Sequence, residues 1–216
     1  DSSRDDPSAS IRRNVANNNS TPTRPPRSGI QGMNINDSIT PEIIALAKEH
    51  EACPEGLAWL EEKPRTIGEL RSDRSDRFDD FLWAIRALPL PEILAELAKD
   101  ENRDVRWAAA GNTSTPPEIL AELAEDEIRA VRWAVASNTS TPPEALAEIV
   151  KGAASDVRWR VARNTSTPPV VLAELAKDES SDVRGAVAWN PSIPTETLAE
   201  LAKDESSLVR WTVASN

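Results

Sequence analysis

Arginine followed by tryptophan recurs along the second half of this chain, as Arg106-Trp107, Arg132-Trp133, Arg158-Trp159 and Arg210-Trp211. A further arginine, Arg184, precedes Gly185, and a tryptophan then appears at Trp189. Residues i and i+4 share a helix face, so the aromatic keeps its face while moving by one turn. Both residue types are enriched at interface hot spots, which makes this ladder a candidate partner-binding surface. The plainer use of the same residues is a second packing layer in which successive indoles stack. A third use, from a different class, is an aromatic platform for single-stranded nucleic acid.

Material for catalysis is scarce. The chain has one His and one Cys, no glycine-rich phosphate loop and no G-x-S-x-G, so no enzyme activity and no cofactor are expected. His50 and Cys53 stand three residues apart, but a closed zinc site needs four ligands and no second pair exists. Acidic pairs such as Asp126 and Glu127 recur in loops and read as a solvated rim. Glycosylation sequons at Asn18, Asn36, Asn112, Asn138 and Asn164 follow from a recurring Asn and Ser/Thr rather than from a selected modification pattern.

A formal net charge of -11 and a pI near 4.7 oppose general binding to a phosphate backbone, so nucleic acid is the weaker partner class. A single cysteine forms no intrachain disulfide and suits a reducing compartment, which favours the cytoplasm over a secreted or surface assembly. No apolar run approaches the roughly 18 residues that span a bilayer. The chain begins with Asp1 and carries no signal-peptide pattern, as expected of a processed form or a fragment.

The elements that must carry the ladder repeat every 26 residues: Val105, Val131, Val157, Val183 and Val209 keep that spacing, and so do Leu94, Leu120, Leu146, Leu172 and Leu198, and Asn112, Asn138, Asn164, Asn190 and Asn216. A period of this length predicts a solenoid in which no unit buries its apolar face alone. Each unit reads as two short helices. Thr115 is the expected N-cap of the first, with Pro116 at N1 and Glu118 closing a capping box, and Thr141, Pro142 and Glu144 repeat the pattern. Leu120, Leu123 and Ala124 form its apolar stripe. The second helix carries Val131, Ala134 and Val135 on one face and stops at Asn138, expected in the left-handed conformation. The Trp, two residues past the core Val, points about 200° away from it.

The pattern LAKDESSDVRxAVAxNxSxPxExLAELA resembles the leucine-rich repeat variant, a bacterial repeat family, over roughly residues 91 to 216. That resemblance implies an all-α, right-handed superhelix in which α and 3₁₀ helices alternate, and it implies no activity. One member of the family carries an iron–sulfur module on several cysteines, which Cys53 alone cannot supply.

Ahead of the array, IRRNVANNNSTP from Ile11 matches half a repeat in phase, and TRPPRSGIQG from Thr23 reads as a flexible tether. NDSITPEIIALAK from Asn36 is a degenerate first helix, and residues 49–90 interrupt the period as an inserted helical cap, with ACPEGLAWLEEKPRTIGEL similar to a short helical module of pattern C-x-x-G-x-x-W-L. The expected organisation is an arm over 1–35, a degenerate repeat and helical insertion over 36–90, and the solenoid over 91–216. The expected function is a non-enzymatic scaffold for a protein partner. A head-to-tail filament or ring is the alternative, with Ile11, Arg12 and Val15 of one copy meeting Val209, Trp211 and Val213 of the next.

Overall fold

Paired prolines start the first helix of most units, because a proline at N1 loses no hydrogen bond and its fixed φ suits a helix. The computed structural model describes residues 89–216 continuously and, before them, residues 43–45, 66, 68, 69, 82 and 86. Within 89–216 there are ten helices and no strand: α1 (Pro91–Leu97), α2 (Arg103–Gly111), α3 (Pro117–Leu123), α4 (Arg129–Ser137), α5 (Pro143–Val150), α6 (Ser155–Arg163), α7 (Pro169–Leu175), α8 (Ser181–Ala188), α9 (Thr195–Leu201) and α10 (Ser207–Ala214). Odd-numbered helices are the first of each unit and even-numbered helices the second. Successive even helices pack side by side, and each odd helix packs against the even helix that follows it. The protein is thus an all-helical tandem-repeat solenoid over these residues.

The core runs between the two layers. Val105, Val131, Val157, Val183 and Val209 have no solvent exposure at all, and Leu120, Leu146 and Leu172 match them from the odd helices. Both helix types are α among the described residues, which corrects the α and 3₁₀ alternation implied by the resemblance. The closing turns of both helix types tighten, as in the bonds from the Lys99 N–H to the Glu96 carbonyl and from the Asn112 N–H to the Ala109 carbonyl, each at 3.1 Å.

Two local expectations are also corrected. Pro116 and Pro142, not Thr115 and Thr141, occupy the N-cap positions, and no side chain, including those of Glu118 and Glu144, caps either helix. The threonine hydroxyls turn inward instead: Thr115, Thr141 and Thr167 donate from Oγ1 to the carbonyls of Ala109, Val135 and Val161 at 2.6 Å each. They close the last turn of the preceding helix, where carbonyls lack intrahelical partners.

The stop asparagines are extended, with φ and ψ of -78° and 124° at Asn138 and -72° and 125° at Asn164, rather than left-handed. Their value lies between repeats. The Asn138 Nδ2 donates to the carbonyls of Ala110 (2.9 Å) and Asn112 (2.8 Å). Asn164 does the same to Ala136 and Asn138, both at 2.9 Å, and Asn190 to Ala162 and Asn164 at 2.7 and 2.9 Å. A buried amide ladder therefore satisfies the carbonyls at which each even helix ends. The sequons at Asn138 and Asn164 are consequently buried and occupied in the folded chain.

The arm over 1–35 lies outside the described residues, and so do His50, Cys53, Asn18, Asn36 and nearly all of the insertion over 36–90. Residues 43–45 are helical, and Ile43 is fully buried.

Candidate functional site

Because each core Val points inward, the Arg next to it and the Trp after it emerge on the outer side of the even helices. The structure divides their roles. Arg106 Nη1 donates to the carbonyls of Asp100 and Glu101 at 2.8 and 3.1 Å, while its Nε and Nη2 donate to Asp126 Oδ2 and Oδ1 at 2.6 and 3.2 Å. Arg158 grips Asp178 in the same fork at 2.6 and 2.9 Å, and Arg184 grips Asp204 at 2.7 and 3.0 Å. Each carboxylate is held by the turn that carries it, since Oδ1 of Asp126, Asp178 and Asp204 accepts the backbone N–H of Ile128, Ser180 and Ser206 at 2.8 Å. Arg132 binds the carbonyls of Asp126 and Glu127 but meets no carboxylate ahead, because Gly152 stands where the other units have Asp. Arg210 likewise binds the Asp204 and Glu205 carbonyls at 2.6 and 2.9 Å.

The arginines thus form a repeat-to-repeat clamp at a spacing of 20 residues between Arg and Asp. Asp126 is correspondingly part of the clamp, with only 7% of its side chain exposed, and not part of a solvated rim; Glu127 alone stays exposed.

Acid should weaken this clamp. Burial pushes the Asp178 carboxyl upward, but the Arg158 hydrogen bond, the Ser180 N–H and the charges of Arg158 and Arg184 outweigh it and leave the group below its ordinary value. The Arg184 hydrogen bond lowers Asp204 in the same way. A depressed carboxyl contributes stability that is complete above the unfolded value, near 3.9, and is lost as pH falls through the lower folded value. Denaturant midpoints should therefore hold from neutral pH to about 5 and fall below about 4. The variant Asp178→Asn should start lower at pH 7, by roughly 1.5–3 kcal/mol for hydrogen bonds to a charged group, and show a shallower acid decline.

The tryptophans are graded. Trp107, Trp133 and Trp159 are half-buried, whereas Trp189 is 51% and Trp211 62% exposed. Among the described residues no two indoles stack on one another as the packing-layer expectation has it; guanidinium groups stand on Trp107, Trp133 and Trp159. Arg86 lies 4.5 Å from the Trp107 ring centroid. Arg160 stands 4.2 Å from that of Trp133 and 4.8 Å from that of Trp159, and Arg163 lies 5.3 Å from Trp159. A covered ring should matter for stability and an open one should not. Trp133→Ala is expected to lower the unfolding free energy by about 2 kcal/mol, below the 3–5 of a fully buried Trp, and Trp189→Ala by less than about 0.5 kcal/mol. Paired denaturant titrations check the ordering.

An open groove of about 530 Å³ crosses the outer side of α6, α8 and α10, lined by Trp159, Trp189, Trp211 and Leu208 around Gly185, with Asp156 and Asp182 among its polar residues. Four large apolar side chains are half or more exposed among the described residues, and Trp189, Leu208 and Trp211 are three of them. Val209, beside them in α10, is fully buried and Val213 half-buried. Ile11, Arg12 and Val15 lie outside the described residues.

The sequence reading overlooked Arg160 and Arg163, and it took Gly185 only as a displaced Trp. The signal was present: Arg160 replaces the small residue found at Ala108, Ala134, Ala186 and Thr212. Among the described residues no His, Cys, Asp and Glu cluster could hold a metal ion, and no helix is long and apolar enough to cross a membrane.

No family model and no curated protein matches the chain. A solved structure described as a leucine-rich repeat variant with a novel repetitive protein structural motif is similar, with a TM-score of 0.53 and 25% sequence identity over 80% of this chain and 70% of that one. In repeat pattern and in fold, the chain is similar to the leucine-rich repeat variant.

Proposed function

We propose that this protein is a non-enzymatic scaffold that binds a protein partner through the groove on α6, α8 and α10. One observation carries the reading: three of the four exposed large apolar side chains of the described residues gather in one concavity, and such gathering marks interaction sites. Tryptophan is also enriched among the few residues that carry most of an interface's binding energy. The arginine clamp supports a protein over a nucleic acid, because Arg106, Arg158 and Arg184 already donate to carboxylates and cannot also line a phosphate track.

Selection of a displayed random-peptide library on the intact chain tests this. Enriched peptides should bind Trp189→Ala at least about tenfold more weakly while that variant melts normally, as removal of a hot-spot residue predicts. Peptides that bind the variant as tightly as the parent would place recognition elsewhere. A second copy is the other protein that can fill the groove, and concentration-dependent mass in light scattering that Trp189→Ala abolishes would identify it.

A further inference from the structure

The groove's own neighbours show which chemistry its indoles accept. Trp107, Trp133 and Trp159 each carry an arginine on the ring, at 4.2 to 5.3 Å from the centroid. Arg160 is the informative case: its Nε makes no hydrogen bond, and it lies between the rings of two successive units. Burial and the charge of Arg163 push its pKa down, so the site carries a desolvation cost that the indole faces offset.

The next unit lacks this arrangement. Ala186 takes the place of Arg160 and Gly185 that of the Trp, so both cation and ring are missing from the gap. Gly185 borders the groove, and a Cβ built on it would make one ordinary van der Waals contact, with Thr212 Oγ1 at 3.9 Å. Trp189 and Trp211 line the groove, and no guanidinium stands on either among the described residues. Its charged lining is two carboxylates and the Arg163 guanidinium, which already lies over Trp159 and leaves the Trp189 side of the groove to the acids. Asp156 is paired with Arg129, while the exposed Asp182 has no ion pair among the described residues. A chain with a net charge of -11 adds a field that attracts cations.

Resting on the reading of this groove as the binding face, we propose that it takes an arginine side chain from an extended segment of the partner protein. The guanidinium stacks on Trp189 in the gap left at Gly185, and Asp182 meets its charge. The partner's arginine thereby continues the alternation of indole and guanidinium that Trp133, Arg160 and Trp159 begin.

The probes are N-acetyl-arginine methylamide and its citrulline counterpart, which keeps the shape and loses the charge. Each is titrated into the intact chain while the indole N–H resonances are followed by NMR. The arginine derivative should shift the Trp189 and Trp159 signals saturably, and the citrulline derivative should not. Asp182→Asn, a change on an exposed helix start, should weaken the response about fivefold. Gly185→Trp should abolish it at Trp159 by refilling the gap, and its melting curve reports whether it folds; Asp182→Asn keeps the test open if it does not. Equal shifts with both compounds, or none with either, would overturn the assignment. If library-selected peptides need Trp189 but carry no arginine, the binding face stands and the arginine proposal falls.

Discussion

Val157→Asp should lower the unfolding free energy by several kcal/mol and melt more than its own repeat. Val157 is completely buried in α6, between the equivalent Val131 of α4 and Val183 of α8. An ionised carboxylate in an apolar stripe has no partner there, so it either stays charged at high cost or takes up a proton. Solenoid units are stable only through their neighbours, and the loss should spread to α4 and α8. Thermal unfolding by circular dichroism measures the size, and hydrogen exchange measures the reach. A melting curve that matches the parent would remove Val157 from the core.

Asn164→Ala is expected to have the second largest effect, although it removes a small polar side chain. The Asn164 amide holds the carbonyls of Ala136 and Asn138, both at 2.9 Å and both at the end of α4. Neither carbonyl has water to turn to, because Ala136 is fully buried and Asn138 is 3% exposed. The Ala136 carbonyl is left without a partner, at about 1–3 kcal/mol, and the Asn138 carbonyl keeps only the Thr141 N–H at 3.2 Å and loses about 1 kcal/mol more, a total of roughly 2–4 kcal/mol. Asn164→Asp should be worse at neutral pH, since a carboxylate would face two carbonyl oxygens, and it should recover part of the loss when acid supplies a donor proton. Tolerance of Asn164→Asp at pH 7 would show that the ladder contributes little.

The contrast between these two positions shows what the sequence makes legible. Val157 and Leu172 follow from periodicity, because a helix face is a local property of residues three and four apart. The asparagine was visible as a repeated stop, but its local rule predicts a left-handed residue, whereas its amide reaches residues 26 and 28 positions back. Thr115 failed for the same reason: capping logic looks forward to the helix it precedes, and its hydroxyl reaches back to Ala109. Arg and Asp 20 residues apart are neighbours only once the even helices are stacked, although the recurrence of Asp100, Asp126, Asp178 and Asp204, with Gly152 as the gap, encodes the partner. The groove was hardest to read, because it comes from a missing side chain at Gly185 and not from a residue present.

The most direct test of the account is where a bound peptide lies. A library-selected peptide carrying a photoactivatable benzophenone is cross-linked to the intact chain, and the attached residues are identified by mass spectrometry. The account predicts cross-links on α6, α8 and α10, around Trp159, Gly185 and Trp189. Cross-links confined to the odd helices, at α3, α5 or α7, would contradict it and move the binding face to the opposite layer.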